Sequence, residues 1–159
     1  MKEVVILIGL QASGKSTFFR TQFAATHVHV SKDLLRNNSR PARRQRQLIE
    51  EALLAGHSVV IDNTNATLEE RAELIQLAHQ YLASAIGYYF DSRPGGCLER
   101  NRQREGRERV PDVAIFATLK RLVRPSYDEG FEWLYYVSLE DDGAFVVSEW
   151  DAEESVSEQ

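Results

Sequence analysis

The feature that most constrains the fold is a run of Val, Ile and Leu residues near the start of the chain, which ends in a glycine-bearing turn. Lys2 to Gly9 is nearly continuous in aliphatic residues, as is typical of a strand buried on both faces of a sheet. The turn reads Gly9-Leu10-Gln11-Ala12-Ser13-Gly14-Lys15-Ser16, and a helix is predicted from about Lys15. A buried strand, a tight turn and a helix in this order predict a parallel sheet covered by helices.

The same alternation of strand-type and helix-type segments continues along the chain. Strands are predicted at 27–30, 58–62 and 85–90, and helices at 41–54, at 67–81, after a break at 94–96, and from 111 to before Pro125. A closing hairpin is predicted from residues 133–138 and 144–148. The pattern favours a three-layer α/β fold in one domain over residues 1–150, with a disordered acidic tail at 151–159.

Composition limits where such a chain works and what it contacts. Its longest apolar run is far shorter than the ~20 residues that cross a bilayer, so no membrane partner is expected. Cys97 is the single cysteine, which excludes an internal disulfide and favours a reducing, cytoplasmic compartment. The formal charge is −5, yet the last twenty residues hold eight acids and no Lys or Arg. The remainder is therefore net basic and compatible with an anionic partner.

The turn after the first strand matches the phosphate-binding pattern G-x-x-x-x-G-K-[ST]. In such loops successive backbone N–H groups point at phosphate oxygens, and the following helix adds its positive end. Lys15 is predicted to bridge the β- and γ-phosphates of ATP, and Ser16 to coordinate Mg²⁺. The alternative is a chance glycine-rich turn. The predicted nucleotide-binding residues of this segment are Gly9, Ala12, Ser13, Gly14, Lys15, Ser16 and Thr17.

Carboxylates follow the second and third predicted strands, where ligands sit in an open α/β sheet. Asp33 can accept a proton from an incoming hydroxyl, and Arg36 lies one helical turn further on. Helix capping explains Asp33 equally well. Asp62 ends the strand 58–62 as an acid that holds Mg²⁺ or its waters does, and Asp62 and Asn63 are also candidate acceptor contacts. Turn formation is the alternative for both residues.

Together with these motifs, the sequence resembles the kinase domain of the polynucleotide 5′-hydroxyl kinase family over about Glu3 to Val137. The resemblance is carried by the phosphate loop, by His-Val-Ser-Lys-Asp-x-x-Arg at 29–36, by Val-Ile-Asp-Asn-Thr-Asn at 60–65, and by three shorter motifs. These are Arg100-Asn101-x-x-Arg104, Val110-Pro111-Asp112, and Pro125 followed by Glu129-Gly130-Phe131. The resemblance implies a P-loop NTPase fold with a sheet of adenylate-kinase type and an arginine-bearing lid.

The same resemblance implies roles for individual residues. Asp33 corresponds to the general base, Arg36 to the residue that holds a phosphate of the acceptor strand, and Arg104 to the lid arginine that steadies the transferring phosphoryl group. Asp33, Lys15 and Arg104 are therefore the predicted catalytic residues. The chain departs from the family at Ser31-Lys32, where Asn-Arg usually precedes the catalytic Asp. It also has no room for the phosphatase domain often fused to such kinases, so repair of 3′ ends is not implied.

Arginines cluster in two places. The first series surrounds the predicted acceptor side and comprises Arg36, Arg40, Arg43, Arg44 and Arg46. Arg40 and Arg43 are predicted acceptor contacts in addition to Arg36. The second series runs from 93 to 109, and in it Arg100 and Arg104 are predicted nucleotide contacts with Arg107 as a helper. Paired charges on solvated helix faces are the alternative explanation for most of these arginines.

Three functions are compatible with these motifs. The leading hypothesis is a kinase that uses ATP and Mg²⁺ to phosphorylate a hydroxyl, with the 5′-OH of DNA or RNA as the acceptor. A kinase that acts on the hydroxyl of a sugar, nucleoside or antibiotic is the second. A nucleotide-binding regulatory ATPase is the third, and Asp33 beside Arg36 argues against it because a switch needs no acceptor base.

Overall fold

The computed structural model describes residues 1–91 and 93–150, and the predicted acidic tail at 151–159 lies outside the described residues. Within them, six strands are joined in one sheet. The strands are β1 (Glu3–Ile8), β2 (His27–Val30), β3 (Ser58–Asp62), β4 (Ser84–Phe90), β5 (Trp133–Leu139) and β6 (Phe145–Glu149). Their order across the sheet is β2-β3-β1-β4-β5-β6. The predicted strands and the closing hairpin are confirmed, with boundaries that differ by one or two residues.

Strand β1 lies at the centre because it pairs in parallel with β3 on one side and with β4 on the other. Strands β2 and β5 extend the parallel sheet, and β6 closes one edge as an antiparallel partner of β5. A strand in this position is covered on both faces, which explains the unbroken apolar run that opens the sequence. All of Val4 to Ile8 is fully buried.

Five helices connect or cover the strands: α1 (Lys15–Gln22), α2 (Pro41–Leu54), α3 (Leu68–Gln80), α4 (Pro94–Arg102) and α5 (Asp112–Arg121). On one face of the sheet, α2 and α3 pack against the side chains of Val4, Ile6 and Ile8. On the other face, α1 packs Phe18 and Phe19 against Val5 and Leu7. The three-layer α/β fold expected from the sequence is therefore confirmed. No helix of the described residues is long and apolar enough to cross a membrane.

The segment at 94–96, predicted to be a break before a helix, is instead the first turn of α4. Pro94 occupies the first position, where its missing N–H costs nothing. Gly96 is accommodated in the helix because the guanidinium of Arg100 folds back over it. A Cβ at Gly96 would lie 3.2 Å from Arg100 Nη1. Helix α5 ends at Arg121, before Pro125, as the sequence predicted.

The buried Arg71 links α3 to Glu129 and to the loop that follows β3. Arg71 is 0% exposed, and its Nε and Nη2 donate to the two carboxylate oxygens of Glu129 at 2.8 and 3.2 Å. Its Nη1 donates to the backbone carbonyls of Asn65 and Ala66 at 3.0 and 3.1 Å. Bidentate pairing of this kind is geometrically specific. Arg71 therefore holds the loop that follows β3, which is the loop that borders the candidate site.

Candidate active site

The glycine-rich turn closes tightly around the carboxyl end of β1. Gly14 has φ +100° and Ala12 has φ +62°, and the Gly9 N–H donates to Thr64 O at 3.0 Å. A Cβ at Gly14 would lie 3.1 Å from the Phe145 ring, in addition to the left-handed backbone. Gly14 caps α1 without a side-chain hydrogen bond, and no acid stands in the first turn. The N–H groups of this helix end are therefore left for an anion.

Lys15 lies inside this loop. Its Nζ donates to the carbonyls of Gly9 and Leu10 at 3.0 and 2.6 Å and contacts Ser13 Oγ at 3.4 Å. Burial lowers the pKa of Lys15 from 10.5 to about 8, and the nearby Asp62 carboxylate opposes part of that effect. An anion bound in the loop would relieve this cost, because it would supply the opposite charge that the buried ammonium lacks.

The third strand ends in a carboxylate that meets the start of α1. Ser16 Oγ donates to Asp62 Oδ2 at 2.7 Å, and His29 Nε2 lies 2.9 Å from the same oxygen. The His29 ring stacks on Phe19 with centroids 4.0 Å apart, which fixes its orientation. Burial alone would raise the pKa of Asp62. The hydrogen bonds from His29 and Ser16 and the charge of Lys15 outweigh burial and hold this pKa below 3.8.

This pair of oxygen ligands fits Mg²⁺. Among residues 1–91 and 93–150, no three His, Cys, Asp or Glu side chains converge into a metal site made of protein alone. Mg²⁺ is commonly held by one or two protein oxygens, water and substrate phosphates rather than by a protein cage. An ionised Asp62 beside the Ser16 hydroxyl, at the mouth of a phosphate loop, offers that donor set. Ser16 and Asp62 are thus the residues that would hold the ion.

The segment after β2 presents a second carboxylate to the same space. Ser31 Oγ caps the short 3-10 turn Lys32–Leu35 by accepting from the Asp33 N–H at 3.2 Å. Asp33 is therefore not the capping residue, in contrast to one interpretation of the sequence. Its side chain is exposed, and its carboxylate pairs with no other side chain of the described part of the chain. Arg36 Nε donates to Asp33 O at 3.0 Å, so the arginine folds back beside it.

The segment between α4 and α5, which we call the lid segment (residues 103–111), covers the other side. Asn101 is fully buried, and its side chain donates to Val110 O at 2.7 Å and accepts from the Val110 N–H at 3.0 Å. The two bonds tie the end of the segment to its start. Arg104 Nη1 contacts Glu108 O at 3.3 Å, and Arg36 Nη1 reaches Arg107 O at 3.4 Å. The lid segment thereby meets the segment that carries Asp33.

These parts enclose a cleft of about 610 Å³. The predicted site residues that line it are Ala12, Gly14, Lys15, Ser16, Thr17, Asp33, Arg36, Asp62, Asn63 and Arg104. Such a volume lies within the ~300–1,000 Å³ range of sites for whole small-molecule ligands. Residues from four separate segments of the chain are brought together here, and the predicted ones combine a phosphate loop, two carboxylates and two arginines.

Five predicted site residues do not line the cleft. Gly9 and Ser13 are buried beneath the loop and shape it. Arg100 donates from Nε to Ala12 O at 2.6 Å, so it braces the phosphate loop from behind instead of facing a ligand. Arg40 and Arg43 are exposed at the start of α2. The direction of α2 keeps both arginines out of the cleft lining, and sequence spacing does not reveal that direction.

Ion pairing accounts for other arginines of the acceptor-side series. Arg46 pairs with Glu50 at 3.0 Å and with Glu73 at 3.6 Å, and Arg44 lies 3.8 Å from Glu51. The solvated-face interpretation is therefore the better one for Arg44 and Arg46. Exposed pairs of this kind contribute at most about 1 kcal/mol each.

Sequence reasoning missed two polar residues near the cleft. His29 stood inside a recognised motif, but nothing local indicates that it contacts a carboxylate from a neighbouring strand. Gln45, on α2, accepts from Asn63 Nδ2 at 2.8 Å. Asn63 Oδ1 in turn accepts from the Lys32 N–H at 2.9 Å. A chain of two hydrogen bonds therefore connects α2 to the segment that carries Asp33, through a residue predicted from its position alone.

A mostly parallel sheet with a phosphate loop after its central strand, and with carboxylates at the adjacent strand ends, defines a P-loop protein of the kinase type. A family model described as an AAA domain (AAA_33) matches residues 4–125. The chain belongs to this family.

Named relatives point in the same direction. A bifunctional polynucleotide phosphatase/kinase of Schizosaccharomyces pombe is 30% identical over 134 residues, which cover 82% of this chain and 32% of the relative. A protein of corresponding name from Acanthamoeba polyphaga mimivirus is 28% identical over 138 residues, with the same 82% and 32% coverage. A relative from Arabidopsis thaliana, transcription factor bHLH140, is 27% identical over 84% of this chain and 16% of its own length. The chain thus spans about a third, or less, of each of these relatives.

Solved structures show the same fold. Kti12 of Chaetomium thermophilum, in complex with ADP-AlF3, superposes with a TM-score of 0.73 at 18% identity, covering 87% of this chain and 90% of that chain. A fungal RNA kinase gives a TM-score of 0.68 at 18% identity, covering 89% and 40%. A sugar kinase of Janibacter gives 0.66 at 18% identity, covering 87% and 86%. At these identities the likeness concerns the fold alone.

Proposed function

We propose that this protein is a kinase that transfers the γ-phosphoryl group of ATP, with Mg²⁺, to a hydroxyl, and that the acceptor is the 5′-OH of DNA or RNA. The observation that carries the proposal is the position of Asp33. Its carboxylate, which pairs with no side chain among the residues that the structure describes, lines the same cleft as Lys15, Ser16 and Asp62. A nucleotide switch needs no acceptor base at that place, whereas a hydroxyl kinase does.

Each side chain has a defined part in this reaction. A triphosphate bound in the phosphate loop receives the Lys15 ammonium, which neutralises part of its charge. Ser16 and Asp62 would hold Mg²⁺, and the ion would supply further positive charge to the phosphates. The acceptor oxygen bonds to the γ-phosphorus as the bond to the β–γ bridging oxygen breaks, so that ADP leaves. The hydroxyl proton passes to Asp33. Arg104, on the lid segment, stabilises the charge that develops on the transferring group.

A polynucleotide acceptor is supported by two separate facts. Arg36 and Arg107 line the Asp33 side of the cleft, where a phosphate that follows the reacting hydroxyl would lie. Two relatives named as polynucleotide phosphatase/kinases match 82% of the chain. Arg40 and Arg43, exposed at the start of α2, would contact phosphates further along a bound strand.

A small-molecule acceptor is the second candidate, and one observation favours it. Among the described residues that line the cleft there is no Phe, Tyr or Trp on which a base could stack. With Arg44 and Arg46 engaged by glutamates, the basic surface is smaller than the sequence indicates. A sugar or nucleoside hydroxyl would need only Asp33 and a few polar contacts.

The direct test is phosphate transfer from labelled ATP to 5′-OH oligonucleotides, compared with sugars and nucleosides. Asp33→Asn is expected to lower kcat by about 10²–10⁴ while the affinity for ADP stays unchanged. Asp141→Asn, at an exposed residue of the β5–β6 turn, is the matched control and should keep wild-type activity. Undiminished transfer by Asp33→Asn would contradict the assigned base.

A second experiment separates the two acceptor classes. Replacing Arg40 and Arg43 together with Ala should raise KM for an oligonucleotide and flatten its dependence on salt, because two phosphate contacts are lost. For a small-molecule acceptor the double variant should behave like the wild type. Transfer to a metabolite and to no oligonucleotide of any length would refute the polynucleotide acceptor.

A further inference from the structure

A second, smaller cavity lies next to the cleft, between α2 and α3. Its volume is about 170 Å³, and it shares Asn63 and Thr64 with the cleft. Pockets that hold a whole small-molecule ligand are larger, at ~300–1,000 Å³. The cavity therefore accommodates a single ring system that enters from the cleft, not a second nucleotide.

One wall of this cavity carries a hydrogen-bond donor. Gln45 is 8% exposed, and its Oε1 accepts from Asn63 Nδ2 at 2.8 Å. The orientation of both amides is determined, because Asn63 Oδ1 accepts from the Lys32 N–H at 2.9 Å and only its Nδ2 is left to donate. Gln45 Nε2 is then a donor that meets no acceptor among the described residues. Because Gln45 lines the cavity, a ligand that supplies an acceptor there would pair with this donor.

The remaining walls combine apolar and polar side chains. Ile49 of α2 and Leu74 and Leu77 of α3 line the cavity and are buried. Charged and polar residues line it as well, among them Lys32, Asn65, Glu70 and the pair Arg46 and Glu73, whose Nη1 and Oε1 lie 3.6 Å apart and join the two helices. A heterocycle with ring carbonyl or nitrogen acceptors has apolar faces and polar edges, which match this mixed lining.

We propose that this cavity is a base pocket, formed by Gln45, Ile49, Asn63, Leu74 and Leu77, that holds the base of the acceptor's terminal nucleoside. The inference rests on the proposed function. The hydrogen bonds from Gln45 through Asn63 to the Lys32 N–H end one residue before Asp33. The pocket and the cleft that Asp33 lines share Asn63 and Thr64, so the sugar of a nucleoside whose base occupies the pocket would extend into that cleft. Gln45 is the specificity-determining residue of this arrangement.

The pocket predicts which terminal nucleotides are preferred. Gln45 Nε2 only donates, so guanine, whose O6 and N7 both accept, is favoured over adenine, in which N7 accepts but the neighbouring amino group donates. A terminal abasic nucleotide keeps the phosphates and the hydroxyl but loses every pocket contact. It should therefore bind less tightly without a change in the chemical step.

The experiment measures kcat and KM for oligonucleotides that differ only in the terminal nucleotide: guanine, adenine or an abasic site. For the wild type, KM for the abasic substrate should exceed KM for guanine by about tenfold, the size of one good base contact. Gln45→Met keeps the volume of the side chain and removes the donor, and should bring this ratio to within about twofold. Gln47→Met, at an exposed position of the same helix, is the matched control and should keep the wild-type ratio.

The ratio separates recognition from a structural effect, because a disturbed Asn63 would slow all three substrates alike. Equal KM of the wild type for guanine and abasic substrates would overturn the base pocket and leave the kinase proposal standing. A wild-type ratio retained by Gln45→Met would overturn it as well. The wild-type comparison needs no variant, so it decides even if Gln45→Met fails to fold. Absence of transfer to any oligonucleotide would refute the proposed acceptor and the pocket together.

Discussion

Because the Lys15 ammonium is buried, we expect nucleotide binding to weaken as the pH rises above about 8. In the free protein its pKa is lowered from 10.5 to about 8 by burial. Bound phosphates would favour the protonated form and return this pKa to its ordinary range. Each pH unit is worth about 1.4 kcal/mol, so the full return from about 8 to 10.5 corresponds to about 3 kcal/mol.

Proton linkage gives the direction in which the affinity for ADP changes with pH. At about pH 7 Lys15 is largely charged in the free and bound states alike, and the terminal phosphate of ADP, with a second pKa of about 6, is already mostly ionised, so the affinity for ADP should vary little there. As pH rises through 8 the free protein loses this proton, and binding must restore it. The dissociation constant should therefore increase by up to about tenfold per pH unit above 8, and by about 300-fold at most.

Neither unfolding nor the titration of other side chains would produce the same loss of ADP affinity between about pH 8 and 9.5. A lysine with a lower pKa in the folded state makes the nucleotide-free protein more stable, not less, as pH rises from 8 towards 10.5. Burial raises the pKa of Tyr88 and of Tyr136 to about 12, which places both outside this range. Burial also raises the pKa of Cys97.

The assay is calorimetric titration with ADP between about pH 7 and 9.5, in pairs of buffers with different ionisation enthalpies, so that proton uptake is counted directly. Uptake should be close to zero at the acid end, about half a proton near pH 8 and about one at the alkaline end. Lys15→Arg keeps a charge that does not titrate and should abolish both uptake and slope. A wild-type affinity that is flat to about pH 9.5, or a slope that persists in Lys15→Arg, would refute the reasoning.

Two further predictions concern positioning residues. Arg71→Met should lower the free energy of unfolding by about 3–5 kcal/mol in a urea titration, because Glu129 stays buried without its partner. Arg121→Met, which breaks only an exposed contact at 3.9 Å, should cost less than about 1 kcal/mol, and equal effects of the two changes would contradict the account. His29→Phe keeps the stack on Phe19 but removes the contact with Asp62. It should weaken Mg²⁺-dependent binding of ADP by about tenfold and leave binding in EDTA unchanged, whereas an unaltered Mg²⁺ requirement would count against a positioning role.

The sequence alone predicts most of the fold because its strong signals are local. The aliphatic run of β1, the turn that follows it and the helix after Lys15 are consecutive, so backbone preferences decide their geometry. The error at 94–96 has a tertiary cause. A Pro-Gly-Gly segment is typical of a break, but here the Arg100 side chain covers Gly96 while bracing the phosphate loop. The sequence could not indicate that contact.

The same distinction applies to the candidate site, in which the sequence predicts the positions of some residues and not of others. Strand ends at the carboxyl edge of a parallel sheet lie together by topology, so Asp33 and Asp62 could be placed near the phosphate loop from their positions alone. The contacts of the arginines could not be predicted in this way. Arg40 and Arg43 do not line the cleft, and Arg100 supports it from behind, because the direction of a helix and the docking of its side chains decide what each guanidinium meets.

The sequence by itself thus determined the phosphate loop, the central buried strand and the order of the layers, all of which depend on residues that are neighbours along the chain. Only the tertiary structure decided which distant groups share a hydrogen bond. Ser16 and Asp62 are separated by 46 positions yet their side-chain oxygens lie 2.7 Å apart, and hydrogen bonds through Asn63 connect Gln45 to the segment that carries Asp33. Such contacts depend on strand register and helix docking, where a shift of one residue would turn each side chain to the opposite face.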